Sequence, residues 1–112
     1  MLGKTLNNSD FVESNFILNV YGIAEKPSIV IAGHTYEVNA SVAINEYLTI
    51  DSIAKTITVT HADGTVSNCF NLRNKESYIF QKIPAGISNV SANGNFKFDV
   101  VLLEERGEPK WT

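Results

Sequence analysis

The chain has 112 residues, a net charge of −3 and one cysteine, and its 44% hydrophobic against 19% charged residues is typical of a folded globular protein. This length allows one domain, and the lone Cys69 excludes an internal disulfide. Positive charges are scattered along the chain, which argues against nucleic-acid binding, and no apolar run approaches the ~18–20 residues that span a bilayer.

The first 14 residues are polar and show no hydrophobic periodicity. We therefore expect residues 1–14 to be a flexible arm or linker, followed by one folded domain over residues 15–112. The amino terminus also lacks the apolar core of a signal peptide. We expect either a cytoplasmic product or a piece of a longer protein.

Three strands are predicted in the first part of the domain. Residues 16–21 predict a strand that ends at Gly22, and residues 28–31 predict the next, followed by a tight turn at Ala32-Gly33. Residues 34–44 give the clearest alternation in the chain. We predict one continuous strand there with five side chains on its apolar face, Tyr36, Val38, Ala40, Val42 and Ile44.

The central feature is a hairpin that begins at Tyr47 and comprises residues 47–52 and 55–60. Both segments alternate apolar and polar residues, and the break between them is short enough to join antiparallel strands. Asp51 is predicted to have a structural role, through hydrogen bonding to loop backbone across the hairpin. The predicted core of the protein is the apolar side of the hairpin, Leu48, Ile50, Ile57 and Val59.

The second half of the chain continues the pattern of short strands and turns. Asp63-Gly64 predicts a hairpin turn before a short strand over residues 65–70, and residues 71–77 predict a loop. Residues 78–83 predict a strand, which ends in a turn whose structural residues are Pro84 and Gly86. The last two strands are predicted over residues 87–92 and 96–104.

The fold class follows from the spacing of these elements. Roughly eight to ten short strands at intervals of about 8–12 residues, without a long amphipathic helix, predict an all-β antiparallel sandwich or barrel. The strand faces are apolar enough to build one core.

No residue pattern predicts catalysis, a cofactor or a metal. His61 and Asp63 are close in sequence, but they flank a turn and no third ligand is near. His34 has no recognisable nucleophile motif beside it, and adjacent Glu104 and Glu105 would point to opposite faces of a strand. We therefore predict that the protein is not an enzyme.

Aromatic residues provide a second hypothesis, because exposed rings can stack on sugars. The candidates are Tyr21, Tyr36, Tyr47, Tyr78 and Trp111. Tyr36 falls on an apolar face and is predicted to be core. Tyr21, Tyr78 and Trp111 are the predicted contacts for a partner or a glycan.

An ordered set of short motifs resembles a known family. Residues 46–52, Glu-Tyr-Leu-Thr-Ile-Asp-Ser, are similar to the YLTIDS segment in the carboxy-terminal domain of siphophage distal tail proteins. The later motifs come in the family's order: Asn71-Leu72, the F-x-x-I-P-x-G turn at residues 80–86, Gly94, and the charged ending 104–106 before Lys110-Trp111. The resemblance covers about residues 15–112.

The resemblance implies a galectin-like jelly-roll sandwich that serves as a structural module of a phage or prophage tail tip. It implies protein–protein contacts in the baseplate with tail tube, tail-tip, receptor-binding or side-fibre proteins, in virions assembled in the bacterial host cytoplasm. The His-x-Asn-x-Arg pattern of galactoside-binding galectins is absent after His34 and after His61. The alternative is a carbohydrate-binding module that contacts host cell-wall glycans.

Overall fold

The computed structural model describes residues 4–8 and 13–103, which form an antiparallel β-sandwich. The predicted fold class is confirmed. The helical structure in this part of the chain is a single 3-10 turn at Phe70–Leu72. No helix among the described residues has the length and apolar character needed to cross a membrane.

Eleven strands occur within the described ranges. In chain order they are β1 (Lys4–Asn8), β2 (Asn15–Tyr21), β3 (Ala24–Glu25), β4 (Ser28–Ile31), β5 (His34–Glu37), β6 (Ser41–Val42), β7 (Tyr47–Asp51), β8 (Thr56–Thr60), β9 (Val66–Asn68), β10 (Gly86–Ala92) and β11 (Phe98–Leu103).

The strands form two main sheets and a small ribbon. One sheet has four strands in the order β1-β10-β4-β5, and the other has five in the order β11-β2-β7-β8-β9. Strands β3 and β6 pair separately. Every pair is antiparallel. This arrangement places β7 at the centre of the larger sheet, with a neighbour on each side.

The core lies between the two sheets and is centred on β7 and its neighbours. Leu48 pairs with Val59, and Ile50 pairs with Ile57, so that these four side chains form one apolar surface. Each is at most 2% exposed. Strand β2 adds Phe16, Leu18 and Val20 to the same surface. The Phe16 ring meets Tyr36 of the facing sheet edge-on, with centroids 5.1 Å apart.

At the corner formed by Asp51 and Ser52, hydrogen bonds from Ser52 continue to link β7 to β2 beyond their last ladder pair. The Ser52 side chain is fully buried. Its Oγ accepts the Phe16 N–H at 2.8 Å and donates to Asn15 Oδ1 at 2.8 Å, and its own N–H donates to the Phe16 carbonyl at 3.0 Å. The hydroxyl therefore satisfies two polar groups of β2 in a buried region of the protein.

Asp51 holds the turn that follows. Its Oδ1 accepts the N–H groups of Ile53 and Ala54, both at 3.0 Å, and its carbonyl accepts the N–H of Lys55 at 2.9 Å. Lys55 has a φ of 60°, and its Nζ donates to the Ser52 carbonyl at 2.8 Å. The carboxylate thus fixes the loop backbone that leads into β8.

The strand predicted over residues 34–44 is interrupted, and this prediction is wrong in its continuity. Strand β5 ends at Glu37 because its partner β4 begins only at Ser28, after Lys26 (φ 45°) and Pro27, which has no N–H to donate. The chain then changes partner and pairs with β3 through β6. As a result Ile44, expected on the apolar face, is 66% exposed.

Residues 78–83, predicted as a strand, adopt irregular structure. Ile79, Phe80 and Ile83 are buried, so the apolar character of the segment reflects packing without a ladder. Side chains of β5, in place of a neighbouring strand, hydrogen-bond to the backbone of this segment. His34 Nε2 contacts the Tyr78 carbonyl at 2.7 Å, and Tyr36 OH donates to the Gln81 carbonyl at 2.6 Å.

Strands β1 and β10 complete the four-stranded sheet, and Pro84 lies just before β10. Lys4–Asn8, within the region expected to be a flexible arm, forms β1 and pairs with β10. Pro84 is exposed and follows Ile83, which forms an isolated bridge with Ser14. Gly86 begins β10 with a φ of 91°, a conformation that glycine adopts without a steric penalty.

Replacing Ser52 by alanine tests the buried corner. We expect Ser52→Ala to lower the free energy of unfolding by about 1–3 kcal/mol, because the Phe16 N–H and Asn15 Oδ1 lose their partner in a buried site. Urea denaturation measures this loss. Exposed Ser41 is the matched control, and Ser41→Ala is expected to change stability by less than about 0.5 kcal/mol. Equal effects of the two changes would contradict the role of Ser52.

The turn at Asp51 is tested by comparing alanine with asparagine. Asp51→Ala removes the acceptor for two N–H groups and is expected to cost about 1–2 kcal/mol. Asp51→Asn retains a side-chain oxygen and is expected to cost less. An Asp51→Ala protein with an unchanged melting temperature would show that the carboxylate does not hold the turn.

Candidate functional site

One end of the sandwich exposes a group of apolar and aromatic side chains. We call it the tyrosine–isoleucine patch, and it consists of Tyr21, Ile23, Ile44 and Tyr47. The two isoleucines are 71% and 66% exposed, and the tyrosines are 36% and 39% exposed. Tyr21 and Tyr47 are paired across β2 and β7, with ring centroids 6.0 Å apart. Large exposed apolar side chains at one end of a protein are candidates for an interaction site.

A close backbone approach builds this end of the molecule. A Cβ placed on Gly22 would lie 1.8 Å from the carbonyl oxygen of Ala43, so only glycine fits between the strands there. The Gly22 N–H also donates to the Glu46 carbonyl at 3.0 Å. The loops that carry Ile23 and Ile44 are thereby held side by side.

Polar side chains continue the surface across the outer face of the larger sheet. The register aligns Asp99, Asn19, Thr49, Thr58 and Asn68, one from each of its five strands. Asn19 donates to Asp99 Oδ1 at 3.0 Å and accepts from Thr49 Oγ1 at 2.8 Å. This row is a hydrogen-bonding surface beside the tyrosines.

Asp99 also links the polar row to the patch. The Tyr21 hydroxyl donates to Asp99 Oδ2 at 2.7 Å. This hydrogen bond, and then burial, raises the pKa of Tyr21 above its ordinary value. The phenol therefore stays neutral at physiological pH and presents a fixed hydrogen-bonding edge together with its ring face.

Two grooves lie beside the patch, one lined by Tyr21 and the other by Ile23, and they share the turn over residues 94–97 as one wall. The first has a volume of about 650 Å³ and extends from Tyr21 to Asp99, with Phe96 and Phe98 in its lining. The second, of about 630 Å³, extends from Gly22 to Glu25 and includes exposed Ile23. The patch is therefore continuous with concave surface on its β11 side.

Tyr21 and Tyr78, two of the predicted contact residues, do not share one site. Tyr21 lies in the patch, as does Tyr47, whose ring faces outward. Tyr78 is at the opposite end of the central hairpin, because its ring is 5.9 Å from Nζ of Lys55, in the turn that follows β7. Trp111 and the Glu104-Glu105 pair lie outside the described residues.

His61, weighed as a metal ligand, and His34, weighed as a catalytic residue, make other contacts in the structure. Asp63 accepts the N–H and hydroxyl of Thr65 within its turn, and His61 contacts Glu46 instead. His34 supports the backbone at Tyr78. No group of three or more His, Cys, Asp or Glu side chains in the described part of the chain is arranged to hold a metal ion.

Ile23 and Ile44 were missed by sequence reasoning. Ile23 follows the glycine that ends β2, and Ile44 continued an alternating pattern that predicts burial. The signal that could have placed them outside was the pair of breaks at Gly22 and at Lys26-Pro27, since a strand whose partner ends cannot keep its face covered.

Comparison with known proteins gives no family assignment: no family model matches the chain, and neither curated proteins nor solved structures give a match. The likeness to phage distal tail proteins therefore depends on the ordered sequence motifs. The site must be judged from its own chemistry.

A side chain at Gly22 should disrupt the patch. We expect Gly22→Ala to lower the free energy of unfolding by about 1–3 kcal/mol or more, because the added methyl group forces the two backbones apart. Thermal unfolding measures the loss. Gly94→Ala is the control, because its Cβ would meet only the Phe96 ring, at 3.2 Å. Similar losses in both variants would show that the Gly22 contact is not the constraint described.

Proposed function

We propose that this chain is a structural module of a phage or prophage tail tip, which binds other tail proteins through the tyrosine–isoleucine patch. The observation that carries the proposal is the ordered set of motifs shared with distal tail proteins, with the YLTIDS segment at its centre. The galectin-like form of the sandwich belongs to the same proposal.

The positions of the motif residues support this proposal. In the structure Leu48 and Ile50 of the YLTIDS segment are core residues. Ser52 hydrogen-bonds to β2, and Asp51 holds the turn that leads into β8. These four motif positions thus each have a physical role in an all-β sandwich. Because these roles depend on the fold, we expect the YLTIDS segment to recur in distal tail proteins that have the same fold.

The exposed patch supports binding to a protein. Tyrosines are enriched at protein interfaces, where large rings supply buried area and hydroxyls supply hydrogen bonds. The proposed partners are tail tube, tail-tip, receptor-binding or side-fibre proteins. The proposed location is the virion tail tip, after synthesis in the bacterial cytoplasm.

Binding to tail proteins encoded beside this chain tests the proposal. We expect the purified chain to bind at least one of them in biolayer interferometry. The double change Ile23→Ser with Ile44→Ser should weaken binding at least about tenfold, because it removes the most exposed apolar contacts.

The control is Ile87→Ser, which alters an equally exposed isoleucine (74%) on the four-stranded sheet. It should leave affinity within about threefold of the wild type, since a residue outside the interface contributes little. Absence of binding to any neighbouring tail protein, or equal losses in both variants, would contradict the proposal.

A second candidate function is glycan binding, favoured by the Tyr21–Tyr47 pair next to the polar row of Asp99 and Asn19. Ring faces beside planar hydrogen-bonding groups suit sugar rings and their hydroxyls. A glycan array probed with the wild type and with Tyr47→Ala tests it. Saturable binding that Tyr47→Ala abolishes would favour this function, and an array without hits would exclude the tested glycans.

A further inference from the structure

A second group of side chains lies on the other face of the same strand ends. Tyr47 pairs with Thr60, so Glu46, just before Tyr47, and His61, just after Thr60, are the next cross-strand neighbours. Ser67 pairs with Val59, two residues before His61. Because side chains two apart share a face, the register brings Glu46, His61 and Ser67 together.

Their geometry is a relay of two hydrogen bonds through the imidazole. His61 Nδ1 is 2.8 Å from Glu46 Oε2, and His61 Nε2 is 2.7 Å from Ser67 Oγ. The other carboxylate oxygen, Oε1, accepts the Ala43 N–H at 3.0 Å. The glutamate is thereby fixed at both oxygens, and the histidine is fixed at both nitrogens.

Charge determines the direction of these hydrogen bonds. The hydrogen bond from His61, and then that from the Ala43 N–H, lowers the pKa of Glu46, which is ionised at neutral pH and can only accept. Nδ1 must therefore carry a proton. In the neutral ring Nε2 is an acceptor, and the Ser67 hydroxyl donates to it. This is the arrangement in which histidine acts as a general base toward serine.

Access to the serine is open. Ser67 is exposed on β9, which is the edge strand of its sheet among the described strands. The Cys69 N–H donates to the Ile57 carbonyl, so the backbone N–H and C=O groups of odd-numbered residues in β9 are directed toward β8. The N–H of Asn68, an even-numbered residue, is therefore directed away from β8. The amide after the serine is thus directed toward the open edge, where it could donate to an oxyanion.

We propose that Glu46, His61 and Ser67 form a nucleophilic site that hydrolyses carboxylic esters with small acyl groups. As Ser67 Oγ attacks the carbonyl carbon, its proton passes to His61 Nε2. The tetrahedral intermediate collapses, the C–O bond to the alcohol breaks, and the alcohol takes the proton from Nε2. Water then attacks the acyl-serine, giving its proton to Nε2, and Ser67 regains a proton as the acid leaves.

The roles differ among the three residues. Ser67 and His61 are catalytic residues, whereas Glu46 is a positioning residue that selects the tautomer of His61. Because Ser67 is exposed on an edge strand, little surface is available to hold a long acyl chain. The substrate class is therefore a small acyl ester, such as an acetyl ester, either free or carried on a polymer.

Hydrolysis of p-nitrophenyl acetate by the full chain tests the site. We expect Ser67→Ala and His61→Asn each to reduce the protein-dependent rate at least ~100-fold, the lower end of what a positioned base contributes. The double variant should be no slower than either single one, since the residues act as a unit. Acid-quenched wild-type protein should carry an acetyl group on Ser67, located by peptide mass mapping.

Controls separate this site from a purely structural brace. Ser41 is also an exposed serine, but its hydroxyl donates directly to the Glu25 carboxylate at 2.6 Å, with no histidine between them. Ser41→Ala should therefore keep the wild-type rate. Glu46→Gln retains an acceptor but loses the charge, and should slow hydrolysis while the melting temperature shows a folded protein. A wild-type rate equal to that of folded Ser67→Ala, with no acetyl group on Ser67, would overturn the proposal.

Discussion

The buried hydroxyl of Ser52 is the contact on which the larger sheet depends. Strands β2 and β7 carry five of its fully buried apolar side chains, and their ladder would otherwise end where the chain turns at Asp51. A hydroxyl can accept and donate at once, so one small side chain satisfies both Phe16 N–H and Asn15 Oδ1. The seam between β2 and β7 is therefore closed without burying an unpaired polar group.

This seam makes the two ends of the sandwich different. At the hairpin end, the side chains of Asp51, His34 and Tyr36 hydrogen-bond to the loop backbone, while the side chains of Ile53 and Tyr78 are exposed. At the other end the chain is held by the Gly22–Ala43 approach, and side chains project outward. Both proposed activities lie there. Glu46 and Tyr47 are adjacent in sequence. Because side chains alternate along a strand, Glu46 lies in the relay with His61, and Tyr47 lies in the patch.

The parts of the fold that the sequence predicted are those that depend on local chemistry. The alternation at Leu48, Ile50, Ile57 and Val59 is clean because one face is fully buried. The turns at Gly33 and Gly64 follow from positive φ. The prediction over residues 34–44 was wrong in its continuity because a change of partner is not a local property. The strand over 78–83 was wrong because apolar side chains can be buried without a ladder.

The candidate sites required information that no single segment carries. Ile23 and Ile44 lie together because two backbones meet at Gly22. His61 is separated from Glu46 by 15 residues and from Ser67 by six, and only the strand register aligns all three. Tyr21 could be proposed as an exposed contact, but its partner Asp99 is 78 residues away.

Native-state hydrogen exchange measures most directly whether the β2–β7–β8 seam is the stable centre of this protein. We expect amides of β7 to exchange only through global unfolding, with the free energy found by denaturation, whereas amides of the edge strands β1 and β9 should exchange through local openings of lower free energy. Amides of β7 that exchange as fast as those of the edges, or slowest exchange in the four-stranded sheet, would contradict it.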